Sequence, residues 1–168
     1  MTWQRQRSIG AGAAAGVLGG VVSGVLLQLT RITTQYGVRE PAMGLVAGAV
    51  HTVREPLAWI GYLVYAALIG AVFGWLLRWQ EVGATAGGVW GVLYGGFWWI
   101  VSGLIVIPAL YGVEPMTPAA VDVIRNASLP WFGAMLLDGA VLGGAYALLV
   151  RRRPPRAGTS GVTARRAA

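Results

Sequence analysis

The sequence predicts an all-α integral membrane protein: a four-helix bundle made of two tandem, parallel two-span repeats with short helices on the outer side. Three observations carry that expectation. The chain of 168 residues is 56% hydrophobic and only 11% charged, where a soluble domain carries about a quarter charged residues. Four apolar stretches are each near the length of about 20 residues that a bilayer-crossing helix needs. The chain also matches itself when slid by 75 residues, the kind of self-similarity that decides architecture before any local reading.

The stretches cover residues 9–29, 59–77, 84–107 and 131–150. Helix is the open-chain solution, because unpaired backbone groups are too costly in hydrocarbon, and the period-two alternation of a barrel strand is missing. The first stretch follows Arg5 and Arg7, as a secretion signal would, but it is long, Gly-rich and without a small-x-small cleavage pattern, so it reads as a retained span. The domain plan is then a short N-terminal tail (1–8), a first two-span repeat (9–78), a second (79–151) and a disordered basic tail (152–168).

The net charge of +7 would suggest nucleic acid in a soluble domain. Here all 13 basic residues are Arg, and most flank apolar runs. Nine lie in the N-terminus, the short middle loop (Arg78) and the tail; four lie in the two longer loops (Arg31, Arg39, Arg54, Arg125). The positive-inside rule then puts both termini in the cytoplasm and the protein in a cell (inner) membrane. The partner is the lipid bilayer, with itself or other membrane subunits as further candidates, and not nucleic acid. Trp59 and Trp131 are expected at the outer interface, Trp75 and Trp79 at the inner one.

At the 75-residue offset there are 11 identities over the 28 ungapped positions from Ala11 to Val38. Among them, Gly12, Gly16 and Gly20 fall on Gly87, Gly91 and Gly95, and Tyr36, Gly37 and Val38 on Tyr111, Gly112 and Val113. With small slips, His51 and Arg54 answer Asp122 and Arg125, and Pro56 and Trp59 answer Pro130 and Trp131. Two spans per half leave both halves in the same orientation, related about the membrane normal. The outer connections are too long to be structureless. Thr117-Pro118 reads as a helix start, and the apolar segment 42–53 is too short to span and is expected to lie in the interface or dip into it.

Candidate site residues follow from what is unusual in lipid. Gly12, Gly16, Gly20 and Gly24, and Gly83, Gly87, Gly91 and Gly95, recur at every fourth position and so share one helix face. That is a packing seam; the functional alternative is a Gly-lined pore or oligomer interface. Asp138 is the one acid well inside a span. It is expected to face the interior, because its one-carbon stem cannot snorkel and a central carboxylate costs about 2.5–3.5 kcal/mol on insertion scales. Two readings stand: a functional carboxyl (proton carrier or cation ligand), or a hydrogen-bonded packing group with Gln28, Tyr62, Tyr65 or Tyr94 as partner. His51, Arg54, Asp122 and Arg125 form a second polar group on the outer side, where a capping or surface role outweighs a catalytic one. Trp90, Tyr94, Phe97 and Trp98 make an aromatic flank on the third span, read as lipid contact or core.

No catalytic, cofactor or metal set emerges. There is no Cys, hence no disulfide, thiol nucleophile or sulfur ligand, and one His leaves little for zinc or general-base chemistry. The run Leu93-Tyr94-Gly95-Gly96-Phe97-Trp98-Trp99, closed by Pro108, resembles a segment of small four-span bacterial integral membrane proteins of unknown function; the resemblance implies a four-span fold and brings no activity. Small multidrug exporters, which depend on an embedded Glu in the first span, are not similar: this first span has no acid. The expected function is non-catalytic, a structural or accessory component of a membrane assembly. The alternative is a small channel or transporter using Asp138.

Overall fold

The computed structural model describes residues 2–33, 37–80 and 83–150. It is mostly helical, and four helices are long and apolar enough to cross a membrane. They are α1 (Thr2–Leu29), α3 (Glu55–Leu76), α4 (Ala84–Val101) and α7 (Ser128–Val150). The first connection adds two short strands, β1 (Arg31–Thr33) and β2 (Arg39–Pro41), and a six-residue helix α2 (Gly44–Ala49). The second adds α5 (Ile107–Leu110), α6 (Pro118–Ile124) and a 3-10 turn (Arg125–Ala127). Tyr36, Arg151, Arg152, Arg153 and the expected disordered tail lie outside the described residues.

The second and fourth spans begin about a turn earlier than their apolar runs suggest, because their start signals are polar. Glu55 occupies the first turn of α3, beside Pro56 and after the extended residue Arg54, where a carboxylate meets the positive end of the helix and Pro loses no hydrogen bond. The third span runs to Leu110 through a π-helical segment, Ser102–Val106. Pro108 lacks the N–H that would bond the Leu104 carbonyl. The N–H of Met116, with φ +60°, takes its place at 2.9 Å. The second connection is thereby tied to the disturbed helix.

Glycine faces join the spans in antiparallel pairs. A Cβ at Gly12 or Gly16 of α1 would fall on the carbonyl oxygen of Gly70 or Ala66 in α3. At Gly87, Gly91 or Gly95 of α4 it would fall on the carbonyl oxygen of Gly143, Gly139 or Met135 in α7. The contacts are reciprocal: Gly70 meets Gly12, and Gly139 meets Gly91. Gly20 and Gly24 face side chains instead, those of Ala66 and Leu63 and of Trp59 and Tyr62. Gly83 departs from the expected seam. It is an exposed, extended N-cap with nothing within 4 Å, and its carbonyl accepts the Gly87 N–H at 2.7 Å. The fourfold pattern carries one position past the helix end.

α1 also packs closely along α7, whereas the α3 and α4 backbones stand apart. Aromatic side chains span the gap: Phe73–Tyr94 and Tyr65–Trp98, at ring centroid separations of 5.1 and 6.1 Å. Towards the 77–83 link the same seam opens as a groove of about 370 Å³ lined chiefly by Phe73, Leu77, Trp90, Leu93 and Tyr94. Arg78 closes α3 there, donating to the Trp75 carbonyl and stacking on Trp75 and Trp79 at 4.4 and 4.9 Å.

At the opposite end the two connections lock together. β1 pairs antiparallel with β2, Arg31 opposite Pro41, around a turn in which Gly37 has φ +75°. This small hairpin is a departure from a purely α fold. It arises because α1 stops at Leu29, and the Thr30 carbonyl then accepts the Ala42 N–H at 2.8 Å. Tyr111 reaches across from the second connection, lies on Gly48 of α2 and donates to the Leu45 carbonyl at 3.2 Å. Partial burial, with Glu40 nearby, holds its phenol above the ordinary value, so it remains a donor at neutral pH. Gly112, after Tyr111, also has positive φ (+71°), so glycine at both Tyr-Gly-Val motifs answers a backbone need.

Substitution by alanine separates the seam from ornament. Gly91→Ala and Gly143→Ala are expected to lower thermal stability in detergent by an overpacking cost of about 1–3 kcal/mol. Gly88→Ala and Gly144→Ala, with nothing within 4 Å, are expected to be neutral or slightly stabilising. Equal effects in both pairs would remove the seam from the account.

Candidate functional site

Two apolar clusters fill the bundle. One, toward the connections, gathers Leu27, Ile107, Ile124, Trp131 and Met135; the other, toward the chain ends, gathers Ala15, Phe73, Leu142 and Tyr146. Asp138 falls between them. It is ten residues into α7, about 15 Å along the axis at 1.5 Å per residue, and so at the middle of a hydrocarbon layer about 30 Å thick. Because α7 starts before Pro130, the acid lies deeper than the apolar run alone implies.

Asp138 faces inward and is only 5% exposed. Gly19 of α1 makes this possible: a Cβ there would fall on Asp138 Oδ1 and crowd its backbone carbonyl at 2.7 Å. Gly19 is outside the fourfold pattern. Its signal in the sequence is the Gly19-Gly20 pair, which gives one helix two small faces, one toward α3 and one toward α7.

The four expected partners divide. Gln28 is elsewhere: its Nε2 donates to Glu55 Oε1 at 2.6 Å, joining α1 to the start of α3. Tyr62, Tyr65 and Tyr94 lie within electrostatic reach of Asp138. Tyr62 is hydrogen-bonded to Ser23 Oγ at 2.8 Å, and Ser23 also donates to the Gly19 carbonyl at 2.9 Å. The Tyr94 hydroxyl donates to the Ile69 carbonyl at 2.9 Å. Ser102 stands near Tyr65 but donates to the Trp98 carbonyl at 2.6 Å and accepts the Trp131 indole N–H at 3.3 Å. Among the described residues of this layer Asp138 Oδ1 makes no hydrogen bond within the protein, while the Tyr65 hydroxyl and Trp98 Nε1 have only loose side-chain partners, Ser102 and Tyr94. Each buried polar group left in that state costs about 1–3 kcal/mol. Ser23 and Ser102 were not legible as site features, because a lone Ser in an apolar helix carries no pattern.

Trp131 corrects the expected aromatic belt. It is 5% exposed, packed edge-on against Tyr62 with centroids 6.4 Å apart, and so belongs to the core. Trp75 and Trp79 are exposed at the other end. Of the aromatic flank, Trp90 and Phe97 are exposed, whereas Tyr94 and Trp98 are partly buried against α3.

The second polar group divides into two separate features. Asp122 and Arg125 form an ion pair one turn apart, with both side chains exposed; such pairs are worth little. Thr117 caps α6, accepting the Ala120 N–H at 3.3 Å. His51 is exposed just past α2 with φ +51°, and its N–H bonds the Gly48 carbonyl, the left-handed C-terminal role that glycine fills best. Arg54 precedes α3, with its N–H bonded to Thr52 Oγ1 at 3.1 Å. Among the described residues no three His, Cys, Asp or Glu come together as a metal site would require.

Two substitution pairs test these assignments. Ser23→Ala strands the buried Tyr62 hydroxyl and is expected to destabilise more than Tyr62→Phe, which costs about 1 kcal/mol because Ser23 keeps a carbonyl partner; the reverse order in detergent melting would contradict the network. His51→Gly is expected to preserve or raise stability and His51→Val to lower it.

No family model, curated protein or solved structure matches the chain.

Proposed function

We propose that this chain is a non-catalytic, structural or accessory component of an inner-membrane assembly, with both termini in the cytoplasm. The observation that carries the reading is the seat of Asp138. A carboxyl used to pass ions needs a hydrated approach, whereas this one is 5% exposed and lies against the Gly19 backbone, between two apolar clusters. Several described polar side chains join elements instead, as in Gln28–Glu55, Ser23–Tyr62 and Tyr111–Leu45.

We read the fold as a duplicated two-span hairpin in parallel arrangement. Support comes from the matching register of Gly16 against Ala66 and Gly91 against Gly139, from positive φ at Gly37 and Gly112, and from Arg54 and Arg125 just before the return spans. The orientation rests on the Arg distribution and on helix ends that place the start of α1 and the end of α7 on the same side as the 77–83 link.

The alternative, a small channel or transporter using Asp138, is favoured by one observation: the unpartnered Asp138 Oδ1 at mid-depth. Reconstitution separates the readings. Purified protein in liposomes is expected to dissipate an imposed proton or alkali-cation gradient no faster than empty liposomes, and affinity purification from native membranes is expected to recover stoichiometric membrane partners or a homo-oligomer. Protein-dependent flux that disappears in a folded Asp138→Asn variant would establish the transporter instead. Reporters fused at Met1 and Ala168 should both read cytoplasmic.

A further inference from the structure

Towards the 77–83 link the α3–α4 seam opens as a groove of about 370 Å³. The buried Phe73 and Leu77 lie at its base with the half-buried Tyr94, and the exposed Leu76, Trp90 and Leu93 line its sides. The Tyr94 hydroxyl is already bonded to the Ile69 carbonyl at 2.9 Å, so the base presents apolar surface. Gln80, exposed in the link, is the polar end. Trp90 and Tyr94 are six and ten residues past Ala84, where α4 begins, or about 9 and 15 Å along the axis. The groove therefore lies within one leaflet of a hydrocarbon layer about 30 Å thick.

The lining selects the occupant. A further transmembrane helix needs small residues at its contact, and α1 and α4 use glycine where they close on α3 and α7. None of the residues lining the groove is Gly or Ala. An acyl chain is thin and flexible, and lies between leucine and ring side chains without any backbone contact. The polar end suits a negative headgroup. Arg78 stands between Leu77 and Gln80 in the turn that closes α3. Its guanidinium is fixed by the Trp75 carbonyl and by stacking on Trp75 and Trp79, and among the described residues no acid pairs with it. Arginine in this state is a phosphate ligand. α4 starts at the same end with no acid in its first turn and no side-chain cap, so an anion there also meets the positive end of a helix.

We propose that this groove seats one acyl chain of an anionic phospholipid, drawn from the leaflet at the 77–83 link, with its phosphate at Arg78. The groove selects the chain and Arg78 selects the charge. The lipid fills the seam that α3 and α4 leave open, where side chains alone bridge the two backbones. The site is independent of which side of the membrane the link occupies, and of whether the protein has membrane partners.

The test is native mass spectrometry of the full chain, released from a nonionic detergent after equilibration with phosphatidylglycerol or with phosphatidylcholine of the same acyl chains. The parent protein is expected to retain one phosphatidylglycerol, and to prefer it about fivefold, the preference that one basic residue gives an anionic lipid near a membrane surface. Arg78→Gln is expected to remove the preference and Arg78→Lys to keep it. If Arg78→Gln does not fold, raising the salt during equilibration, which screens the same attraction, takes its place. Leu93→Trp, at an exposed lining position, is expected to fill the groove and lower retention of both lipids severalfold. Leu148→Trp, similarly exposed on α7 and outside the groove, is expected to leave retention unchanged. Equal retention of the two lipids by the parent, or of neither, overturns the proposal, as does retention unchanged in Leu93→Trp or a preference unchanged in Arg78→Gln. A parent dimer that Leu93→Trp dissociates would overturn it in favour of a second copy.

Discussion

In hydrocarbon, side-chain burial gives helices no reason to associate, since lipid tails are as apolar as leucine; what remains is close packing and hydrogen bonding. The bundle depends on that constraint. At Gly12 and Gly16, where α1 meets α3, and at Gly87, Gly91 and Gly95, where α4 meets α7, glycine places one backbone directly on the carbonyl oxygens of the other, at distances no Cβ would permit. Once these contacts fix the helices in antiparallel pairs, the rotation of each helix is set. Rotation decides which side chains face inward: Tyr62 and Phe73 from α3, Tyr146 and Asp138 from α7.

What the sequence made legible is what periodicity and solvent cost can express. The spans follow from length and composition, the seams from glycine at every fourth position, and the inward direction of Asp138 from the absence of any inexpensive alternative. Gly83 was misread because a periodic pattern does not announce where its helix starts. Trp131 was misread because position along the axis suggests an interface, whereas exposure depends on rotation, which other helices impose. Gln28 was expected at Asp138; it bonds Glu55 instead because α3 begins beside it, a placement that sequence does not express. The hairpin was invisible because β1 and β2 are three residues each, too short for an alternation to register.

The third span shows how a disturbance in one element organises another. Proline at 108 frees a carbonyl at 104, and the chain returns from the second connection to satisfy it through Met116, in a backbone conformation that glycine would enter more readily. The π-helical turn just before it begins at Ser102, whose hydroxyl bonds both the Trp98 carbonyl and the Trp131 indole. A π turn rotates the residues beyond it relative to a regular helix. The α4 face that carries Trp98 and Tyr94 is therefore offset in register from the face at Pro108.

The unequal closure of the two remaining seams has a mechanical meaning. Between α1 and α7, Gly19 lies against Asp138 main-chain and side-chain atoms, and packed backbone is stiff because neither partner has a torsion to yield. Between α3 and α4 the contact is made by Phe73, Tyr94, Tyr65 and Trp98, beside an open groove; aromatic rings can tilt and re-seat about their own bonds. The bundle is thus anisotropic, rigid on one flank and compliant on the other. The α3–α4 flank is the one with side-chain torsions through which the bundle can yield to a neighbour, and its rings stand close to the buried Asp138.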